Sequence, residues 1–512
     1  MSHSRREFLQ KSAMWLSTSS LLGCQKPKRI DATTNTRPEL AKPKLDKRPR
    51  TLRPPLLAGL DLQFFKVHRQ KPISAESTRA GIGISVVTPT DRLFIRNNLP
   101  HPPQSIVSHP ERWKLKVDGV SRPRHFSIEA LKALGAVDVT TVLQCSGNGR
   151  GFFEHAPSGS PWLTGAAGCV TWRGVLVSRV LEACGGVSHD ASYLTGTGAD
   201  RPHGRPDSTE ARVERSIPIA KALNDCILAW SLNGEPIPLS HGGPLRLVVP
   251  GYFGCNQIKY VERIMASQEE SSAKIQRTGY RFRPIGEKGK PSQASMWRMP
   301  VKSWVTHASS DSTTKTTTFH GVAFSGERGI SKVDYSFDGS AWHEAPLTGE
   351  SLGPNAWRRF QIDVPADESP SVVFTRATDT SGDVQPEHRV ENERGYGNTS
   401  WRDHRFKLVP PVQGNTNTVD RGDPLTDAEL KRARHLFAQG ATPPCGACHT
   451  LADAATAGQV GPSLDTLKIG VRGVEAALNN GVGAMPSYRD ALSKQDRALL
   501  ARYIAQRSKV NK

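Results

Sequence analysis

The chain has 512 residues, of which 37% are hydrophobic and 23% charged, and 68 Lys+Arg against 48 Asp+Glu leave a net charge of +20. That length predicts about three domains, and the balance excludes a disordered or collagen-like chain. No long Lys/Arg block with interleaved aromatics occurs, so the charge points to an anionic substrate or an acidic surface and excludes nucleic acid as a partner.

Residues 1–24 read as a targeting segment. In SRREFLQKSAMWL, Arg5 and Arg6 stand just before Phe8, Leu9 and a weakly apolar run, the pattern of a twin-arginine signal. A periplasmic location is therefore expected. The uncharged run 12–25 is shorter than the roughly 20 apolar residues that span a bilayer. It ends LLGC, which makes Cys24 a candidate lipid-attachment residue and the protein a candidate membrane-anchored lipoprotein. Residues 25–55 are rich in Lys, Arg and Pro and form a flexible tether.

From 56 to 290, short apolar runs alternate with Gly/Pro punctuation and a few helical stretches. WKLKVDG and PLRLVVPG read as strands, SLNGEPIPL as an Asn-Gly hairpin and SIEALKALG as a short helix closed by glycine. The segment is an α+β domain. Residues 291–410 are nearly all strand, with KVDYSFDGSAWHEA a hairpin about Asp338-Gly339, and fit an all-β, immunoglobulin-like sandwich. A linker, 411–424, leads to an all-α domain, 425–512. There Thr426 and Glu429 form a capping box for a helix presenting Leu430, Leu436 and Phe437. A last helix, about 494–507, presents Leu499, Leu500, Tyr503 and Ile504.

CGACH, residues 445–449, is the c-type haem attachment pattern. Cys445 and Cys448 reach the two vinyl groups of one covalent haem c, and His449 lies on the proximal face of the iron. A zinc site would need a second Cys pair, and a thioredoxin-like pair would need a βαβ context; neither is present. Met485, in GAMPSY, is the only methionine beyond residue 299 and the expected sixth ligand. His435 is its rival.

A haem on a tail carries single electrons, and something upstream must supply them. VLQCSGNGR ends an apolar run in Cys145, followed by a glycine loop and Arg150. Thiolates bind soft or high-valent metals, and glycines let a bulky cofactor approach the backbone. A cysteine before a glycine loop is more often structural, so this pattern alone decides nothing. Cys169, Cys184, Cys226 and Cys255 are expected as buried free thiols, because twin-arginine export carries domains folded in a reducing compartment. No closely spaced His/Cys set offers a blue-copper site.

QCSGNGR, together with FIRNNLPHP, SPWLTGAAGCVTWRGV and NGEPIPLSHGGPLRLVVPG, resembles the sulfite oxidase family of molybdenum enzymes from about residue 85 to 410. The resemblance implies Mo-molybdopterin with Cys145 as the metal ligand. It implies an anion pocket of Arg96, Arg150 and Arg394, with Trp162 and Tyr280 beside it. It also implies that Phe94, Asn97, Asn98, Asp200, His241, Arg246 and Lys259 bind the pterin and its phosphate, and that the sandwich makes a homodimer. Asn98 and Gly149 depart from the residues common in the family, His and Arg, which puts the substrate in doubt more than the cofactor. The expected reaction is oxidation of sulfite or a related sulfur anion, with electrons leaving through the haem to an external acceptor such as a soluble cytochrome c. The alternatives are oxidation of a sulfane sulfur, reduction of a sulfoxide, and a pure electron-transfer protein without active molybdenum.

Overall fold

The computed structural model describes residues 64–408, apart from 206, 207 and 312, and residues 421–508, apart from 459, 460, 466, 468 and 482–484. The twin-arginine segment, Cys24, the tether and most of the 411–424 linker lie outside the described residues.

The first part opens with a three-stranded antiparallel sheet, β1 (Phe65–Gln70), β2 (Ile73–Ser77) and β3 (Ile95–Arg96). Ten strands follow: β4 (Lys114–Asp118), β5 (Arg124–Ser127), β6 (Val137–Gln144), β7 (Ala167–Leu176), β8 (Tyr193–Gly198), β9 (Glu214–Pro218), β10 (Ile227–Leu232), β11 (Glu235–Pro236), β12 (Arg246–Val248) and β13 (Val261–Ser267). One sheet runs β11-β10-β7-β6, with β12 also paired to β10; the other runs β5-β4-β13-β8-β9. The expected local devices are there. Asn233 and Gly234 both have positive φ, 52° and 87°, as a tight hairpin between β10 and β11 requires. Ser127 caps helix Ile128–Lys132 by accepting from the Ala130 N–H.

The sandwich packs two four-stranded sheets: β14 (Val301–Asp311), β15 (Thr316–Ser325), β18 (Leu347–Thr348) and β19 (Arg358–Pro365) against β16 (Ile330–Ser336), β17 (His343–Ala345), β20 (Val372–Asp379) and β21 (Phe406–Lys407). Alternation along β14 divides its faces. Val301 and Val305 enter the sandwich core, whereas Trp304 packs with Ile82, Val142 and Cys169 in the seam to the first part. Arg79 staples that seam, donating to the carbonyls of Val305 (2.6 Å), Arg405 (3.1 Å) and His404 (2.6 Å).

In the C-terminal part the capping box at Thr426 is formed, but the helix it opens, Asp427–His435, widens into a π turn, Leu436–Gly440. Helix Lys494–Arg507 buries Leu499, Leu500, Tyr503 and Ile504 as expected. The helix Val471–Asn480, not anticipated, buries Val474 and Leu478 one turn apart.

Lys302 also faces the seam. It is 1% exposed, lies 5.4 Å from the Trp304 ring, and its Nζ has no partner among the described residues. Burial pushes its pKa down from 10.5 to about 7. Over that window the unfolded chain holds the extra proton, so stability rises with pH, and the cost of the buried ammonium is greatest below the folded pKa. Lys302→Met should therefore raise the thermal midpoint, and more at about pH 6 than at about pH 9. Melting curves at the two pH values check this; an equal gain, or a loss, contradicts it.

Candidate active site and haem centre

Cys145 sits where β6 runs out. The last four residues of β6, Thr141 to Gln144, are buried, and the ladder to β7 ends at Gln144↔Ala167. The Cys145 N–H then donates to Ala166 O (2.9 Å), and its carbonyl accepts from Asn148 N (2.9 Å), turning the chain. Gly149, at φ 92°, completes the turn into Arg150. A Cβ on Gly147 or Gly159 would lie 2.5 Å from an Arg150 guanidinium nitrogen, so the bare backbone there makes room for the folded-back side chain. Arg150 is 6% exposed. Its Nε donates to Arg394 O (2.8 Å) and its Nη1 to Ser160 O (3.0 Å). Burial lowers its pKa, opposed chiefly by the Cys145 sulfur, yet a guanidinium remains charged.

Two adjoining cavities meet at this cysteine. Arg96, Asn98, Cys145, Val213 and Tyr280 line both. Arg150 and Arg394 line the outer one, ≈ 770 Å³, so the three arginines expected at an anion pocket stand round one opening with the thiol and the tyrosine. Arg96 donates through Nη1 to Asn97 O and through Nη2 to Asn98 Oδ1 (2.7 Å), which also accepts from the Tyr280 hydroxyl (3.4 Å). Asn98 thus joins Arg96 to Tyr280. Tyr280 stacks on Tyr396 (5.4 Å, 26°), and burial raises its pKa, keeping the phenol protonated.

The inner cavity is lined by Phe94, Asn97, Asn98, Asp200, His241, Arg246 and Lys259, drawn from segments far apart in sequence. Lys259 Nζ donates to Asn97 Oδ1 (2.7 Å) and Ser240 O (2.5 Å), and Arg246 Nη1 to His241 O (2.7 Å). Four buried polar atoms here, Asp200 Oδ1, His241 Nε2, Arg246 Nε and Gln257 Oε1, have no partner among the described residues. Each such group costs about 1–3 kcal/mol. Burial pushes Asp200 up to about 7 and His241 and Lys259 well down, the latter two further by repulsion from neighbouring cations. Cations crowded beside unmatched donors and acceptors fit a large polar ligand with an anionic end, which is what a pterin phosphate offers.

Two expectations need correction. Trp162 does not line the opening. It is fully buried, wedged edge-on between His68 (5.1 Å) and Phe94 (6.3 Å), in the apolar cluster behind Cys145. Cys255 is not a core thiol; it is half-buried in the inner cavity wall, its Sγ 3.4 Å from Met296 O, with burial raising its pKa to about 11. Cys169, Cys184 and Cys226 are buried free thiols as expected. Gln257, Tyr260, Tyr396, Arg212 and Arg283 also line the cavities. Arg212 and Arg283 sit in mixed loops with no periodicity to mark them. The Gly149 departure has a local reason: a Cβ there would approach Asn398 Cβ to 2.9 Å, and Asn398 Nδ2 donates to Gly149 O (3.0 Å).

In the C-terminal part Cys445 is buried, Cys448 half-buried and His449 9% exposed. The ring Nδ1 of His449 lies 2.9 Å from Pro462 O. With Nδ1–H donating there, Nε2 keeps a lone pair for a metal. A Cβ on Gly461 would lie 2.3 Å from this ring, so glycine permits its orientation. Met485 is half-buried against the cluster that contains Cys445, whereas His435 is exposed.

Comparison with known proteins agrees with this division. Residues 100–275 match the family model "Oxidoreductase molybdopterin binding domain", 293–409 "Mo-co oxidoreductase dimerisation domain" and 428–504 "Cytochrome C oxidase, cbb3-type, subunit III". The chain is 31% identical to sulfite oxidase of Arabidopsis thaliana over 376 residues, covering 67% of this chain and 93% of that one. It is 30% identical to mitochondrial sulfite oxidase of Rattus norvegicus over 369 residues, 68% of this chain, and spans 66% of the rat protein's length. Among solved structures, the sulfane dehydrogenase SoxCD of Paracoccus pantotrophus superposes with a TM-score of 0.53 at 26% identity, over 64% of this chain and 82% of that one.

With Met485 as sixth haem ligand, Met485→Ala should leave the haem attached, lower its reduction potential and open the iron to carbon monoxide. Visible spectra and a redox titration measure both; an unaltered spectrum would move the ligand to another residue.

Proposed function

The chain belongs to the sulfite oxidase family of molybdopterin enzymes, and on that footing we propose that it oxidises sulfite to sulfate and passes the electrons, one at a time, through its own haem c to an external acceptor. The observation that carries the reading is the meeting of Cys145, Arg96, Arg150, Arg394 and Tyr280 at one opening. The family models match a molybdopterin domain, a dimerisation domain and a cytochrome c domain, so Mo-molybdopterin and haem c are its cofactors.

Cys145 would hold the molybdenum as a thiolate, and the inner cavity would hold the pterin through Phe94, Asn97, Asn98, Asp200, His241, Arg246 and Lys259. When bound, the metal supplies oxygen-atom transfer and a two-electron couple. The residues of this chain do the rest. Arg96, Arg150 and Arg394 bind the sulfur dianion by charge-assisted hydrogen bonds. The hydrogen bonds of Arg96 and Arg150 go to carbonyl and amide oxygens, and Arg394 Nε has no partner among the described residues, so no carboxylate cancels their charge. Tyr280, kept protonated, places a hydroxyl beside them whose proton can turn from Asn98 Oδ1, 3.4 Å away, to the anion. Trp162 and Phe94 keep the wall behind Cys145 apolar. In the tail, Cys445 and Cys448 would hold the haem, with His449 and Met485 on its iron.

A soluble cytochrome c is the proposed acceptor, a homodimer through the sandwich the proposed assembly, and the periplasm the proposed location, with Cys24 a candidate for lipid attachment. The relation to SoxCD favours one second reading, oxidation of a sulfane sulfur at the same opening.

Steady-state reduction of ferric cytochrome c by sulfite separates the two. Sulfite turnover is expected, and Arg150→Gln should raise its KM by about tenfold or more, the worth of one charge-assisted hydrogen bond. Turnover of a sulfane donor with none of sulfite would install the second reading. A purified chain with haem iron and no molybdenum would leave only electron transfer.

A further inference from the structure

The outer cavity carries more positive charge than Arg96, Arg150 and Arg394 supply. Arg283 also lines it and is 8% exposed. Its hydrogen bonds all go to backbone carbonyls: Nε to Glu287 O (2.9 Å), and Nη1 to Thr278 O (3.4 Å) and Arg281 O (3.5 Å). No carboxylate pairs with it among the described residues. Its own carbonyl accepts from Glu393 N (3.0 Å), which ties the loop bearing Arg283 to the segment bearing Arg394. The result is a guanidinium held rigid on its Nε and Nη1 side, with its charge uncancelled, in the wall of an anion cavity. Such a group is pre-organised, so little side-chain entropy is lost when an oxyanion meets it. Arg212, Lys274 and Lys288 line the same cavity together with Glu210, Glu287 and Glu393, so cations outnumber carboxylates round Arg283 and none of those carboxylates pairs with it.

We propose that Arg283 is a further substrate-binding residue, holding the incoming sulfur oxyanion at the wall of the outer cavity before it reaches the Arg96, Arg150 and Arg394 cluster. The inference rests on the reading of the site as one for a small sulfur oxyanion. The cavity, at ≈ 770 Å³, is far larger than one such ion needs, which leaves room for the anion to rest beside Arg283. An uncompensated charge in a low-dielectric cavity wall raises the local anion concentration. That contribution falls on capture, hence on KM and its salt dependence, and leaves the chemical step alone.

The test uses the holoenzyme and its Arg283→Met and Arg283→Lys variants. For Arg283→Met, KM for sulfite should rise about tenfold, kcat should stay within about twofold, and the fall of kcat/KM with ionic strength should become shallower. Arg283→Lys keeps the charge without the fork; its salt dependence should match the parent, with KM only a few-fold higher. Inorganic sulfate, titrated calorimetrically into the oxidised holoenzyme, should bind about tenfold more weakly to Arg283→Met. If Arg283 merely staples its loop, both variants would lose kcat or molybdenum content while the salt dependence stayed that of the parent, and the proposal falls. Unchanged KM and unchanged sulfate affinity also overturn it. Should the parent enzyme fail to oxidise sulfite, the functional reading fails, and the sulfate titration alone decides the role of Arg283.

Discussion

The site depends on positive charge that the fold holds with carbonyl oxygens rather than carboxylates. Arg150 is anchored by the carbonyls of Arg394 and Ser160, and Arg96 by Asn97 and Asn98. A carboxylate would fix these side chains as firmly but would cancel their charge, and the opening would lose its attraction for a dianion. Guanidiniums brought together without counter-charge repel one another, and that cost is stored until an anion arrives. The fold meets it with neutral dipoles, close packing and rigid supports.

Those supports come from both ends of the part that spans residues 64–408. The hairpin of β1 and β2 carries Glu76, whose Oε1 accepts from the N–H groups of Leu163 (2.7 Å) and Gly165 (2.9 Å) while its Oε2 meets His68 Nε2 (2.7 Å). Ser74 adds a hydroxyl contact to Ser160 (2.6 Å). The loop so clamped offers Ser160 O to Arg150 and Ala166 O to Cys145 N. Gly165 has no room for a side chain, since a Cβ would lie 1.7 Å from Ser77 O. From the other end, the segment after β20 returns Arg394 and Tyr396 to the same opening, so the sandwich part completes the site as well as framing it.

Much of this was legible where a short stretch fixes its own geometry. CGACH, the Asn233-Gly234 hairpin, the Thr426 capping box and the helix Lys494–Arg507 each act within a few residues, and pattern suffices there. The inner cradle joins positions 97, 200, 241, 246 and 259, and spacing says nothing about such a meeting; the resemblance to a family placed those residues together. Pattern also failed to tell a wall from a lining. Trp162, between Pro161 and Leu163, and Cys255, after Gly254, are both apolar side chains, yet packing sends the first behind the wall and the second into it. The helix Val471–Asn480 was legible as well: Val471, Val474 and Leu478 recur at helical spacing and pack on the C-terminal cluster, with Gly473 the one residue that speaks against a helix.

The direct test of this account is X-ray absorption at the molybdenum edge of the purified protein, beside that of Cys145→Ser. The parent should show a sulfur shell that includes one protein thiolate, and the variant should show one sulfur fewer, or no molybdenum. An identical sulfur count in both would place the metal elsewhere and contradict the account.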